Sequence, residues 1–266
     1  MTPRRTFLAL PLVALLPRAS HAQADADDVL DALLARHVVP HADGVMRVRY
    51  AAWKASAADM GALHGWIALA ATRRPAAMPR NEAFAFWSNL YNALTLKVVL
   101  DRYPVRSIRD IRSTGVPFDP RQFIGPWRTR LVTIEGRRMS LDDIEHETMR
   151  PTFRDPRVHY AVNCASIGCP NIWPRAWRAA TLRAELDAAA AAFVNHPRGA
   201  TVLPDGRLRV NSIYHWFKED FGGNDAGVLT HLRLYAAPAL AAQLAAVATV
   251  ADHVYDWTLN DVAPSG

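Results

Sequence analysis

Apolar positions recur at helical spacing soon after the start of the chain. Within 25–36, Val29, Leu30, Leu33 and Leu34 stand three and four residues apart, which predicts an amphipathic helix. The segment 46–53, "MRVRYAAW", begins by alternating and predicts a short strand. A second helix is predicted over 57–72, followed by a loop punctuated by Pro75 and Pro79. The longest helical pattern is 82–103, which Pro104 ends. After a proline-punctuated loop at 116–127, "RLVTIEGRRMS" predicts strand and turn, then a helix with Ser140 as N-cap and Asp143 at its third position. That helix is expected to stop before Pro151. The segment 157–163 predicts a strand, 181–196 an alanine-rich helix, and 201–210 a hairpin around Asp205–Gly206. "SIYHWFKEDFGG" predicts a short helix closed by Gly222 or Gly223. Two more helices split near Pro238, and "VYDWTLN" is a last extended segment. Helices and strands mix without a βαβ rhythm, repeat or clear linker. The pattern predicts one α+β domain over 23–266, helix-rich, with a small mostly antiparallel sheet.

The first 22 residues read differently. A basic start, an apolar centre over 7–16 and small residues at Ser20 and Ala22 form a secretory signal, with cleavage expected after Ala22. Arg4–Arg5 followed by Thr6, Phe7 and Leu8 also fits a twin-arginine signal, although Pro3 stands where a serine or threonine usually precedes the pair. The mature chain is therefore expected to be periplasmic or secreted, without a transmembrane segment. Removing Arg4, Arg5 and Arg18 lowers the formal charge from +6 to +3. So small an excess, with no arginine–aromatic interleaving, gives no expectation of nucleic-acid binding. Export also makes a bond between the two cysteines feasible.

Polar residues stand out where the pattern is otherwise apolar. On the 82–103 helix, Ser88, Asn92 and Thr95 share a stripe flanked by Asn89, on a helix rich in Phe, Trp and Leu. Small uncharged groups there either hold a neighbouring loop or face a substrate. Glu145 falls on the apolar face of the 140–150 helix, with His146 beside it; the pair fits acid–base work, or Glu145 salt-bridges an arginine. In "RVHYAVNCASIGCPNIW" (157–173), an extended strand would project His159 with Asn163 and place Cys164 at its end. A thiol near a histidine fits a nucleophile, and N–H groups of 166–168 an oxyanion site. A structural Cys164–Cys169 pair is the alternative, and a metal site with His159 or His146 a weaker one because Cys-x4-Cys is not a common zinc spacing. Asp256, among Tyr255, Trp257 and Leu259, is positioned to orient a histidine or to form a cap.

"AFWSNLYNALTLKVVL", "SLDDIEHETMRPTFRDPRVHYAVNCASIGCPNI", "SIYHWFKEDFGG" and "YDWTLN" occur in that order. Together they resemble bacterial members of the domain of unknown function 547 family, over roughly residues 45–260. The motif matches at Asn89, Tyr91, Asn92, Glu145, His146, His159, Asn163, Cys164, Cys169, Asp220 and Asp256. The resemblance implies no established activity. Similar domains stand beside coiled-coil segments in plant proteins, which leaves a scaffold role open. The element order also has a weak analogy to papain and transglutaminase-like folds, whose cysteine heads the helix, as neither cysteine does here.

Two expectations follow. One is a thiol-dependent hydrolase or acyltransferase acting on an acyl or amide bond. In it Cys164 is nucleophile, His159 or His146 base, and Glu145 or Asp256 orienter. Asn89, Asn92, Tyr91, Asn163 and Ser166 would contact a small-molecule or peptide ligand, and no cofactor or metal is expected. The other is a non-catalytic periplasmic binding or scaffold domain, with a Cys164–Cys169 disulfide shaping its loop and a protein partner left open.

Overall fold

The computed structural model describes residues 19–112 and 125–262, with side chains from Asp27 onward. Most of the expected signal and of the 116–127 loop lies outside the described residues. Helix α1 (Ala19–His37) leads into a hairpin of β1 (Val38–Pro40) and β2 (Met46–Val48), paired antiparallel with Val38 opposite Val48. The strand expected over 46–53 is cut short. Tyr50 and Trp53, three residues apart and buried, start helix α2 (Tyr50–Ala55) instead. Helix α3 (Ala57–Ala71) follows, its first turn capped by the Ser56 side chain.

Helix α4 (Arg80–Arg102) is the centre of the molecule. Its aromatic and aliphatic residues surround the axis, so it buries on every side, and α2 and α3 pack against it. Strands β3 (Val132–Ile134) and β4 (Arg137–Met139) form the expected hairpin. Ser140 and Asp143 then close a reciprocal capping box on α5 (Leu141–Ile144), which also packs on α4.

That helix does not stop at Pro151. Glu145–Met149 forms a π turn, in which the Arg150 N–H reaches back to the Glu145 carbonyl, and α6 (Arg150–Phe153) continues beyond it. Pro151 falls in the first turn of α6, where its missing N–H costs little. The segment expected as a strand at 157–163 is instead one helical turn, α7 (Val158–Ala161), before an extended Val162. Four successive side chains there are buried, which a strand with one solvated face does not allow. The Ala161 carbonyl accepts from the Asn92 amide at 2.9 Å and the Trp177 indole at 3.1 Å instead of from a neighbouring strand.

Helix α8 (Leu182–Val194) covers α7. A three-stranded sheet joins β5 (Ala200–Val202), β6 (Leu208–Asn211) and β7 (Val250–Val254), antiparallel between the first two and parallel between the last two. Between β6 and β7 lie α9 (Ile213–Trp216), a 3-10 turn at Lys218–Phe221 closed by Gly222 at φ +95°, α10 (Asp225–Tyr235) and α11 (Pro238–Leu244). The fold is helix-rich α+β, and among the described residues its strands form three small sheets. One core cluster runs from Leu30 to Leu259. No helix among the described residues is long and apolar enough to cross a membrane.

Candidate active site

The loop after α7 is fixed by amides. Asn92 accepts the Asn163 N–H at 2.8 Å while donating to Ala161, and so grips the chain on both sides of Val162. Asn163 in turn donates to the Pro170 carbonyl at 2.7 Å and accepts the Ala165 N–H at 2.8 Å, which draws the loop's ends together. Asn89 binds both the N–H and the carbonyl of Trp177, at 2.8 and 2.9 Å. These three amides, expected to contact substrate, are occupied by backbone and build the site without facing into it.

The chain beyond β7 lies along this loop. Ile167 N–H donates to the Thr258 carbonyl, Gly168 N–H to that of Asp256, and Asn260 N–H to that of Ala165. The N–H groups of 167 and 168 are thus not open to an oxyanion. Gly168 is required by this approach: a Cβ would lie 2.7 Å from the Asp256 nitrogen and 2.9 Å from its oxygen.

Tyr255 is brought onto the thiols by the same contact. Its hydroxyl lies 2.9 Å from Cys164 Sγ and 2.8 Å from Ser166 Oγ, and Ser166 Oγ is 3.3 Å from the sulfur. Cys164 and Cys169 are free thiols with sulfurs 2.8 Å apart, and the Cys164 N–H points at Cys169 Sγ at 3.0 Å. Burial pushes the Cys164 thiol up, but hydrogen bonds from Cys169, Ser166 and Tyr255 outweigh it and bring its pKa below the ordinary value. Cys169 is pushed well up, by burial and by its bond to Cys164. Ala165, directly after Cys164, has φ +60°, a left-handed conformation unusual for a residue with a side chain.

A second cluster, which lines the same cavity as the thiols, is built around His159. His159 is buried, with Nε2 2.7 Å from Asp220 Oδ2 and Nδ1 3.6 Å from Glu145 Oε1, and its ring stacks on Phe217 at 4.3 Å. Burial would lower its pKa, but the hydrogen bonds and charges of Asp220 and Glu145 raise it above the ordinary value. Arg150 Nε holds Asp220 at 2.5 Å. Burial raises Asp220 too, and the bonds from His159 and Arg150 override it, leaving it at about 2. Histidine and carboxylates thus form a charged network in which His159 is locked. His146 differs: it is half-buried, with Nδ1 3.4 Å from Arg150 Nη1 and Nε2 3.9 Å from Asp142. The π turn accounts for Glu145 and His146 both reaching the cavity from adjacent positions.

Between the clusters is a cavity of about 310 Å³. Cys164, Cys169, Glu145, His146 and His159 line it, together with Tyr91. Its remaining wall is mainly aromatic, from Trp127, Trp216, Phe217, Tyr255 and Trp257. Tyr91 is among the groups that hold the Glu145 carboxyl below its ordinary value.

The sequence reading located the thiols, Glu145, both histidines and Tyr91. Asp256 is not the orienter: exposed, it accepts the Thr258 N–H at 2.8 Å, and Asp220 takes the position against histidine. The histidine strand expected beside the cysteine is a helical turn, which removes the element the papain-like analogy depended on. In the sequence, Asp220 is marked only through the family motif. Arg150, Phe217, Trp216 and Tyr255 were missed. For Phe217, Trp216 and Tyr255 the one signal is the density of aromatics in "SIYHWFKEDF" and "VYDW"; Arg150, at the end of "SLDDIEHETMR", carries none.

A family model described as "Protein of unknown function, DUF547" matches residues 75–194. That segment, a little under half of the chain, is similar to a DUF547 domain. The matched segment holds α4, the π turn, the cysteine loop and α8. Phe217, Trp216 and Tyr255 lie C-terminal to the match, yet complete the cavity whose other wall the matched segment supplies, and Asp220, also beyond the match, holds His159. No curated protein and no solved structure matches the chain.

Proposed function

We propose that this chain is an exported thiol-dependent hydrolase or acyltransferase with Cys164 as nucleophile. One observation carries the reading: a thiol on the wall of an aromatic cavity lies 3.3 Å from the Ser166 hydroxyl and 2.9 Å from that of Tyr255, two groups that favour its ionised form by donating to it. The Cys164 sulfur attacks the carbonyl carbon of an acyl or amide group and forms a thioester as the leaving group departs. His146 is better suited than His159 to protonate that group, because its ring is half-exposed and Arg150 fixes its Nδ1 side. His159, held between two carboxylates, positions Glu145 and the Phe217 face. Water or a second acceptor then cleaves the thioester. Export rests on the N-terminal signal at 1–22.

Alkylation of the reduced full-length protein across pH 5–9, read by mass spectrometry, tests this. Cys164 alone is expected to react rapidly below pH 7, and an activated ester is expected to leave an acyl group on it. Two cysteines that stay unreactive in the folded, reduced protein and are alkylated only in urea would remove the nucleophile and assign the cavity to binding.

A further inference from the structure

The acyl-transfer reading uses one thiol and gives Cys169 no role. The two sulfurs are 2.8 Å apart, whereas a disulfide is about 2.05 Å, so joining them requires less than about 1 Å of movement. The loop holding them is already closed: Asn163 joins its ends through Pro170, and the Tyr255–Asn260 segment lies along it. Access is unequal, for Cys164 is half-buried on the cavity wall and Cys169 is 6 % exposed. Aromatic faces surround the approach to Cys164, and such faces favour contact with divalent sulfur.

We propose that Cys164 and Cys169 form a redox-active dithiol that exchanges with a low-molecular-weight disulfide entering the aromatic cavity. The Cys164 thiolate attacks one substrate sulfur. An S–S bond forms between them, the substrate's own S–S bond breaks, and the first thiolate leaves and takes a proton from solvent. Cys169 sulfur then attacks Cys164 Sγ. The Cys164–Cys169 bond forms, the mixed disulfide breaks, and the Cys169 proton goes to the second departing thiolate. The substrate gains two electrons and becomes two thiols; the cysteine pair loses two electrons. The lowered pKa of Cys164 and the raised pKa of Cys169 agree with attacking and resolving roles. Exchange needs both cysteines and acyl transfer needs only Cys164, so the two readings fail separately.

The test mixes reduced full-length protein with equimolar dithiobis(nitrobenzoate), a chromogenic aromatic disulfide. Wild type is expected to release two coloured thiolates per reagent and retain no adduct by mass. Cys169→Ala should release one and keep nitrobenzoate on Cys164. Cys164→Ala should react at least tenfold more slowly. The proposal is overturned if wild type keeps a stable mixed disulfide, if it does not react, or if the native chain reacts no faster than the same chain in urea. The wild-type stoichiometry decides even if a variant fails to fold. An acyl adduct on Cys164 of Cys169→Ala reports on the acyl-transfer reading independently.

Discussion

Replacing Glu145 with Gln removes one charge from the buried network and keeps its shape. Burial alone would raise the Glu145 carboxyl; the His146 charge, the bond and charge of His159 and the Tyr91 bond lower it instead from 4.5 to about 2. A carboxylate depressed in this way stabilises the fold fully above its unfolded pKa, and the stabilisation is lost as pH falls through the folded value. The depression corresponds to about 3 kcal/mol at neutral pH. By pH 3 less than half of it remains, and near pH 2 little does. The raised pKa of His159 describes the same pair from the other side and is not added again. Its sign is opposite: that stability is present below the ordinary 6.5 and is lost as pH rises through the raised value. Glu145→Gln should therefore be less stable than wild type by about 3 kcal/mol at pH 7, and the gap should narrow as pH falls below 4.5. Urea unfolding followed by tryptophan fluorescence at pH 7, 5, 4 and 3 measures it. No gap at pH 7, or a gap as large at pH 3 as at pH 7, would refute the ion-network account.

Asn92→Ala removes two buried hydrogen bonds and leaves the Asn163 N–H without its acceptor. A loss of about 2–4 kcal/mol is expected in urea unfolding, and a loss under about 1 kcal/mol would show that the α7–loop junction holds without the amide. Gly168→Ala drives a Cβ into the Tyr255–Asp256 backbone. It should slow alkylation of Cys164 at pH 6 several-fold by withdrawing the Tyr255 hydroxyl from the sulfur, and an unchanged rate would show that Tyr255 does not set the thiol's ionisation.

Much of the fold was legible because its signals are local. The helix centred on Phe86–Leu96, the Ser140–Asp143 box, the Asp205–Gly206 hairpin and the break at Pro238 each depend on residues within a turn or two of one another. The same proximity made both thiols, Glu145 and His146 visible as candidate chemistry. The failures came where distant residues overrode local pattern. The segment 157–163 alternates like a strand, but buried neighbours on every side and the Asn92 and Trp177 donors turn it into a helical turn. Asp256 has the aromatic company in sequence, whereas the partner of His159 is Asp220, 61 residues away. By itself, then, the sequence determined the α+β class, most helix limits, the family resemblance and the loop bearing both cysteines, since periodicity, caps and motifs lie within short spans. Only tertiary structure decided which carboxylates hold the histidine, that the asparagines bind backbone, and that Tyr255 reaches Cys164 across 91 residues. Those pairings depend on which elements pack face to face around α4, and no short span of sequence encodes that.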